Sequence, residues 1–339
     1  MTLGFGLLSA QIAPGAPPDW EQAYAQVLAL TEHAENLGYA SVWTTEHHFV
    51  DDGYMPSLLV TSAAMAARTR QIEIGTGVLL GPLHHPLRLA EDAATVQLLS
   101  GGRLTLGLGL GWNEAEFAAL GVPRRLRGRA MSEILEILPQ AWSGEPFAHL
   151  GDVYEIPKLA VRPTPQRAIP IVIGGGAEPA VRRAARQADG FFSNAPPHKF
   201  VEQVAWAHDE MDKTGRDPAG FRWIYYSILC PGSDADHAWA KYGSHVWEMT
   251  WKYSDMEASA VRSGSPPPAP PAPADMLDKI RTRGVVMGTP EEIVDRLNSL
   301  RDEVGVPVDF MARSFFSTLP NSGQIELMEE LAATVLPHL

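Results

Sequence analysis

Glu46, His47 and His48 close the run SVWTTEHHF, residues 41–49, whose β-branched and aromatic start reads as a strand. Imidazole titrates near neutrality, so a histidine at the end of a strand can exchange a proton with a bound reactant. Side chains alternate along a strand, which turns His47 away from Glu46 and His48. One histidine can therefore face a pocket while the other supports it. A second pair, His84 and His85, ends GTGVLLGPLHHP, residues 75–86. Glu46 with several histidines could hold zinc or iron, but adjacent histidines diverge and no H-x-H or H-x-x-x-H pairing occurs, so no metal is expected. A G-x-S-x-G elbow is missing, which removes activated-serine hydrolysis. Cys230 lies in an apolar strand-like run and reads as a packed thiol.

Glycine-rich segments stand at comparable places: GLGLGWNEAEF at 107–117 and GGGAEP at 174–179. The second runs into a helix start, an arrangement that aims free amides and a partial positive charge at an anion. The first has G-x-G-x-G spacing, poor for a dinucleotide fingerprint and sensible as the small-residue floor of a barrel.

Positioning these groups on one rim requires parallel strands. Strands are expected to begin near residues 3, 40, 71, 103, 169, 189, 221 and 308, separated by amphipathic stretches such as 19–38, 56–69 and 86–102. Repeated β–α units of this length imply right-handed crossovers. The expectation is an α/β fold, a (β/α)8 TIM barrel with insertions after strands 4 and 7, forming one domain over 1–339. RSGSPPPAPPAPAD, residues 262–275, can form neither helix nor inner strand; within 254–283 it is expected to be a mobile loop or lid after the seventh strand. Trp112 and the aromatics Trp223, Tyr225 and Tyr226 could line an apolar pocket.

The chain has 339 residues and a net charge of -13, from 40 acids and 27 bases, with no clustered basic footprint. Nucleic acid and anionic membrane are poor partners for that surface. A single cysteine, no recognisable signal peptide and no run of the ~18 apolar residues a bilayer demands lead to a cytoplasmic expectation.

The stretches EHHF (46–49), 75–103, 107–123, 170–191 and 288–297 together resemble the bacterial luciferase-like flavin-dependent monooxygenases; residues 196–283 match that pattern weakly. The resemblance implies a barrel that binds reduced FMN, supplied by a separate reductase, at its C-terminal rim. It further implies that O2 yields a flavin hydroperoxide which oxygenates a small-molecule substrate. His47 falls on the family's general acid or base, and Gly77 and Val78 on the pair lying against the isoalloxazine. Gly175 and Gly176 fall beside the flavin phosphate, and Glu46, Gly109, Leu110, Gly174 and Ala177 complete the expected cofactor rim. His48 and Trp112 are the expected substrate contacts. At Leu110 luciferases carry a phosphate-binding arginine, so the charge here would come from amides, from Arg127 or Arg129, or the flavin would differ. A deazaflavin-dependent hydride transfer without O2 is the alternative activity, and non-catalytic flavin binding the other. A homodimer is expected by resemblance alone.

Overall fold

A computed structural model describes residues 2–282 and 285–339. Eight parallel strands form the barrel: β1 (Leu3–Leu8), β2 (Ser41–Thr44), β3 (Glu73–Thr76), β4 (Leu104–Gly109), β5 (Ile171–Gly174), β6 (Gly190–Ser193), β7 (Arg222–Pro231) and β8 (Val308–Arg313). Each pairs with the next, and β8 returns to β1, so the sheet is closed. This is the TIM barrel expected from the sequence, and the short strand Val285–Gly288 adds outside β7.

Alternation along the strands sorts inside from outside. On β7, Trp223 and Tyr225 pack outward into the strand–helix core, while Ile224 and Tyr226 join the interior cluster. Of the three aromatics expected as pocket lining, only Tyr226 points inward. Trp43, Phe192 and Tyr226 stack through the interior, with ring centroids 5.0 and 4.6 Å apart. Room for Trp43 comes from Gly75, where a Cβ would lie 2.3 Å from the indole.

At the N-terminal end of the barrel, Arg222 reaches across the interior. Its Nε donates to Asp309 Oδ2 at 2.7 Å and its Nη1 to Glu73 Oε1 at 2.8 Å. Thr2 Oγ1 donates to the other oxygen of Asp309. The bottom of the barrel is thus closed by one guanidinium held between two carboxylates.

The third strand is short, four residues long. It stops at Thr76, and the chain resumes pairing with β4 at Leu79–Leu80. In between, the Thr76 hydroxyl donates to Gly107 O and accepts from Gly107 N, both at 2.8 Å, replacing backbone ladder bonds. A Cβ on Gly107 would stand 1.8 Å from Thr76 O, so only glycine fits this close approach. The interruption throws Gly77 and Val78, joined by a cis peptide bond, toward the mouth.

Both insertions are present. After β4 come helix Glu114–Ala119, helix Arg127–Ser143 and the antiparallel hairpin Phe147–Leu150 with Glu155–Leu159. After β7 comes helix Ala235–Ser259, which the sequence reading did not anticipate. It buries Ala238, Tyr242 and Val246, a helical i, i+4 series, and Met256 further along. The expected loop of 254–283 therefore begins inside this helix, and Ala274–Thr282 is helical as well; Arg283 lies outside the described residues. The intervening Pro-rich chain is pinned to its surroundings. Gly15 N donates to Pro266 O, Trp247 Nε1 to Pro270 O, and Ala269 N to Glu248. Arg262 and the buried Lys252 both bind Asp51, tying this insertion to the loop after β2.

Among the described residues, no helix is long and apolar enough to cross a membrane. Cys230 is a buried free thiol, and desolvation pushes its ionisation up.

Candidate active site

The two histidines after β2 diverge as alternation requires. His47 Nδ1 lies 2.9 Å from Glu116 Oε1, and the same oxygen accepts from His48 N at 2.9 Å. Glu116 is fully buried on the short helix Glu114–Ala119, which Asn113 caps by accepting from Ala115 N. A carboxylate in that place fixes the proton of His47 on Nδ1. Nε2, which has no hydrogen-bond partner among the described residues, is left as an acceptor toward the mouth. Around the imidazole stand Tyr54, Trp112 and Tyr253, with ring centroids at 4.8, 5.8 and 5.7 Å. Trp112 itself is 40% exposed.

His48 turns the other way, together with Glu46. The buried Glu46 accepts from His48 Nε2 at 2.7 Å, His84 Nε2 at 3.2 Å and Leu80 N at 2.8 Å. Burial alone would raise the Glu46 pKa, but the hydrogen bonds from His48 and His84 outweigh it and hold the carboxyl below its ordinary range. For His48, burial disfavours the cation, yet Glu46 overcomes this and raises its pKa. Glu46 and His48 are therefore a support that links the β2 end to the β3 loop. Neither His48 nor Glu46 is among the rings facing His47. His85 caps helix Pro86–Ser100 and stands 6.0 Å from the Tyr154 ring, away from this group.

Four of the expected cofactor positions gather at Val78. A Cβ on Gly109 would lie 2.3 Å from one Val78 methyl, and a Cβ on Gly174 would lie 2.6 Å from the other. A Cβ on Gly77 would meet Leu7 at 2.8 Å and the Phe192 ring at 3.0 Å. These glycines make room for one another's neighbours and set Val78 as a raised apolar floor over the Trp43–Phe192–Tyr226 stack. Gly176 differs: nothing lies within 4 Å of its Cβ position. Gly175, Gly176 and Ala177 are exposed and lead directly into helix Glu178–Gln187. An apolar floor after β3, a histidine after β2 on the same rim and an open helix start after β5 fit a planar ring carrying a phosphate tail. Leu110 packs against the outer core. Of the two expected substitutes for the missing arginine, Arg129 pairs with exposed Asp152. Arg127 lines a separate cavity with His84, His85 and Tyr154.

The sequence reading missed Glu116, Tyr54, Tyr253 and Arg313. Arg313 ends β8 at the mouth, donates from Nη2 to Tyr253 Oη at 2.8 Å, and stands 5.2 Å from the Tyr253 ring centroid. Tyr54 Oη is 3.2 Å from Tyr253 Oη.

This constellation, on the C-terminal rim of a closed parallel barrel, is where such folds place their chemistry. The family model described as luciferase-like monooxygenase matches residues 1–306, and the chain belongs to that family. It is an oxidoreductase of the barrel type. It is 28% identical over 302 residues to the 4-hydroxyprotoasukamycin monooxygenase of Streptomyces nodosus subsp. asukaensis, covering 82% of this chain and 77% of that one. It is 31% identical over 321 residues to an F420-dependent glucose-6-phosphate dehydrogenase of Microbacterium testaceum, covering 90% of each. Its fold matches the oxygenating constituent of 3,6-diketocamphane monooxygenase of Pseudomonas putida, a structure solved with FMN. That match has a TM-score of 0.75 at 18% identity and covers 99% of this chain and 98% of that one.

Proposed function

We propose that this protein is a flavin-dependent monooxygenase that takes reduced FMN from a separate reductase and oxygenates a small organic substrate at the barrel mouth. The observation that carries the reading is His47, held through Nδ1 by buried Glu116, with Nε2 free and Tyr54, Trp112 and Tyr253 around its ring. When bound, reduced FMN would supply the two electrons and the activation of O2, one oxygen atom of which would go to the substrate and the other to water. The residues of this chain do the rest. Val78, with Gly77, would carry the ring face, and the amides of Gly175 to Ala177 would take the phosphate. Glu46 holds the β2 and β3 ends in register through His48 and His84. His47 Nε2 accepts or returns one proton at the reacting position, with Trp112 and Tyr253 as the adjoining walls. The Pro-rich chain, pinned beside Tyr54 and Tyr253, serves as a lid that keeps water from the mouth. Protomers pair as a homodimer.

Support for a flavin comes from the FMN held by the diketocamphane neighbour; support for a deazaflavin comes from the F420-dependent relative. The second reading is thus hydride transfer to or from a deazaflavin without O2, favoured by Leu110 standing where an arginine is expected. The test is reconstitution of the whole chain with reduced FMN under O2, and separately with reduced deazaflavin under nitrogen. We expect bound reduced FMN to reoxidise more slowly than free FMN, and His47→Gln to abolish product formation while FMN still binds. Tight binding of the deazaflavin alone would replace this reading with the second.

A further inference from the structure

Among the described residues, Arg313 is a cation without a paired anion. It lies on the interior face of β8, the same side as Asp309 and Met311, and borders a cavity of about 460 Å³ at the mouth. Among the described residues its hydrogen bond goes to a phenol oxygen, Tyr253 Oη, and its guanidinium also stands 5.9 Å from the Tyr226 ring centroid. Among the described residues, no carboxylate lies within ion-pairing reach of it. The acids on the adjoining small cavity are engaged elsewhere: Asp52 accepts from Gln11 and Tyr54 N, and Glu248 accepts from Ala269 N. The tyrosines do not neutralise it either. Burial pushes Tyr226 up to about 12 and Tyr54 well above its ordinary value, so both stay protonated. Cation–π contacts to two rings offset only part of the desolvation of a guanidinium.

Tyr226, Ile228, Met249, Tyr253, Met276 and Ile280 give the cavity an aromatic and aliphatic side, with the uncharged polar groups of Asn194, Ser227 and Thr250 among them. Lys279 also borders it, paired with Asp275, and among the described residues no acidic side chain lines it. That is unusual in a chain with 40 acids against 27 bases. Tyr253 stands between the two ends of the site, 5.7 Å from the His47 ring on one side and hydrogen-bonded to Arg313 on the other.

We infer that the mouth cavity binds an organic anion, a carboxylate or an enolate on an apolar body, whose charged end pairs with Arg313 while its body lies along Tyr253 toward His47. A guanidinium suits such a group because its forked donors can meet two oxygens at once. This assigns the substrate class of the oxygenase proposed above and rests on that reading only for what happens after binding.

The test is calorimetric titration of the full chain, with and without FMN, using 1-naphthoate and its uncharged isostere 1-naphthamide. FMN affinity is read separately by quenching of flavin fluorescence. The expected result is that naphthoate binds more tightly than the amide and that Arg313→Gln weakens naphthoate about 10- to 100-fold without moving the amide or FMN. Arg313→Lys should retain part of the preference, and Tyr253→Phe should keep it, since the guanidinium then loses only a competing acceptor. Equal binding of acid and amide, or naphthoate binding indifferent to Arg313→Gln, overturns the proposal. So does Arg313→Gln weakening FMN instead, which would hand the arginine to the cofactor. If FMN fails to bind the unaltered chain while the naphthoate preference persists, the flavin reading falls and the anion site stands.

Discussion

The barrel holds an arginine at each end, and the two live in opposite surroundings. Arg222 at the bottom is gripped by Glu73 and Asp309, so its charge is cancelled inside the fold. Arg313 at the mouth faces tyrosines and a cavity. Both side chains project from neighbouring strands into the same interior, so the difference is not one of burial. It separates an end built for stability from an end left electrostatically incomplete, which is the division of labour expected of this architecture.

The sharpest way to break the comparison is Arg222→Met. It would strand two partly buried carboxylates against each other, and the expected cost is about 3–5 kcal/mol of folding stability, read by urea unfolding. Little change in that midpoint would show the bottom triad to be ornamental. At the other end, His47→Gln should leave the unfolding curve nearly where it was and lower turnover by about 10²–10⁴. Glu116→Gln should act in the same direction but less, shifting the pH profile of turnover as His47 loses its orienting charge; an unshifted profile would assign Glu116 to packing alone. Arg313→Met should alter stability by no more than about 1 kcal/mol, and can raise it, because an uncompensated charge leaves the interior. A loss as large as that of Arg222→Met would erase the contrast.

The smallest effect concerns the support beneath the mouth. Glu46 titrates below its unfolded value near 4.5, so its contribution is present above that pH and is lost as pH falls through the folded value. His48 titrates above its unfolded value near 6.5, so its contribution is present below that pH and fades as pH rises through the raised value. Thermal melts of the parent and His48→Gln should therefore differ most between these limits, by on the order of 1 kcal/mol, and converge outside them.

Much of the fold was legible because β–α alternation is a local signal. All eight barrel strands could be read from short apolar runs, as could the Thr289–Glu292 capping box that opens helix Pro290–Val304. Helix Ala235–Ser259 escaped because Trp239, Trp247 and Met249 spread apolar groups beyond its buried stripe and blur the helical period. The site was legible only in part. His47, Gly77 and Val78 sit in recognisable strings, and the structure brings His47 to the mouth and Val78 to its floor. Glu116 is one acid of two in NEAEF, and nothing in that string tells which one turns inward. Arg313 carries no local signal at all: Tyr54, Tyr226 and Tyr253, which define its environment, come from three remote parts of the chain and meet it only after the barrel closes.

Val78 has a consequence for how this rim can evolve. Its two methyl groups occupy the places where side chains at 109 and 174 would otherwise stand. Either of those positions can accept a larger residue only if 78 shrinks first, and a smaller residue at 78 releases both at once. The three sites form one inherited unit, and a lineage that changed its flavin or reshaped its substrate would be expected to carry the trace as a joint replacement there, never as a lone alanine at 109.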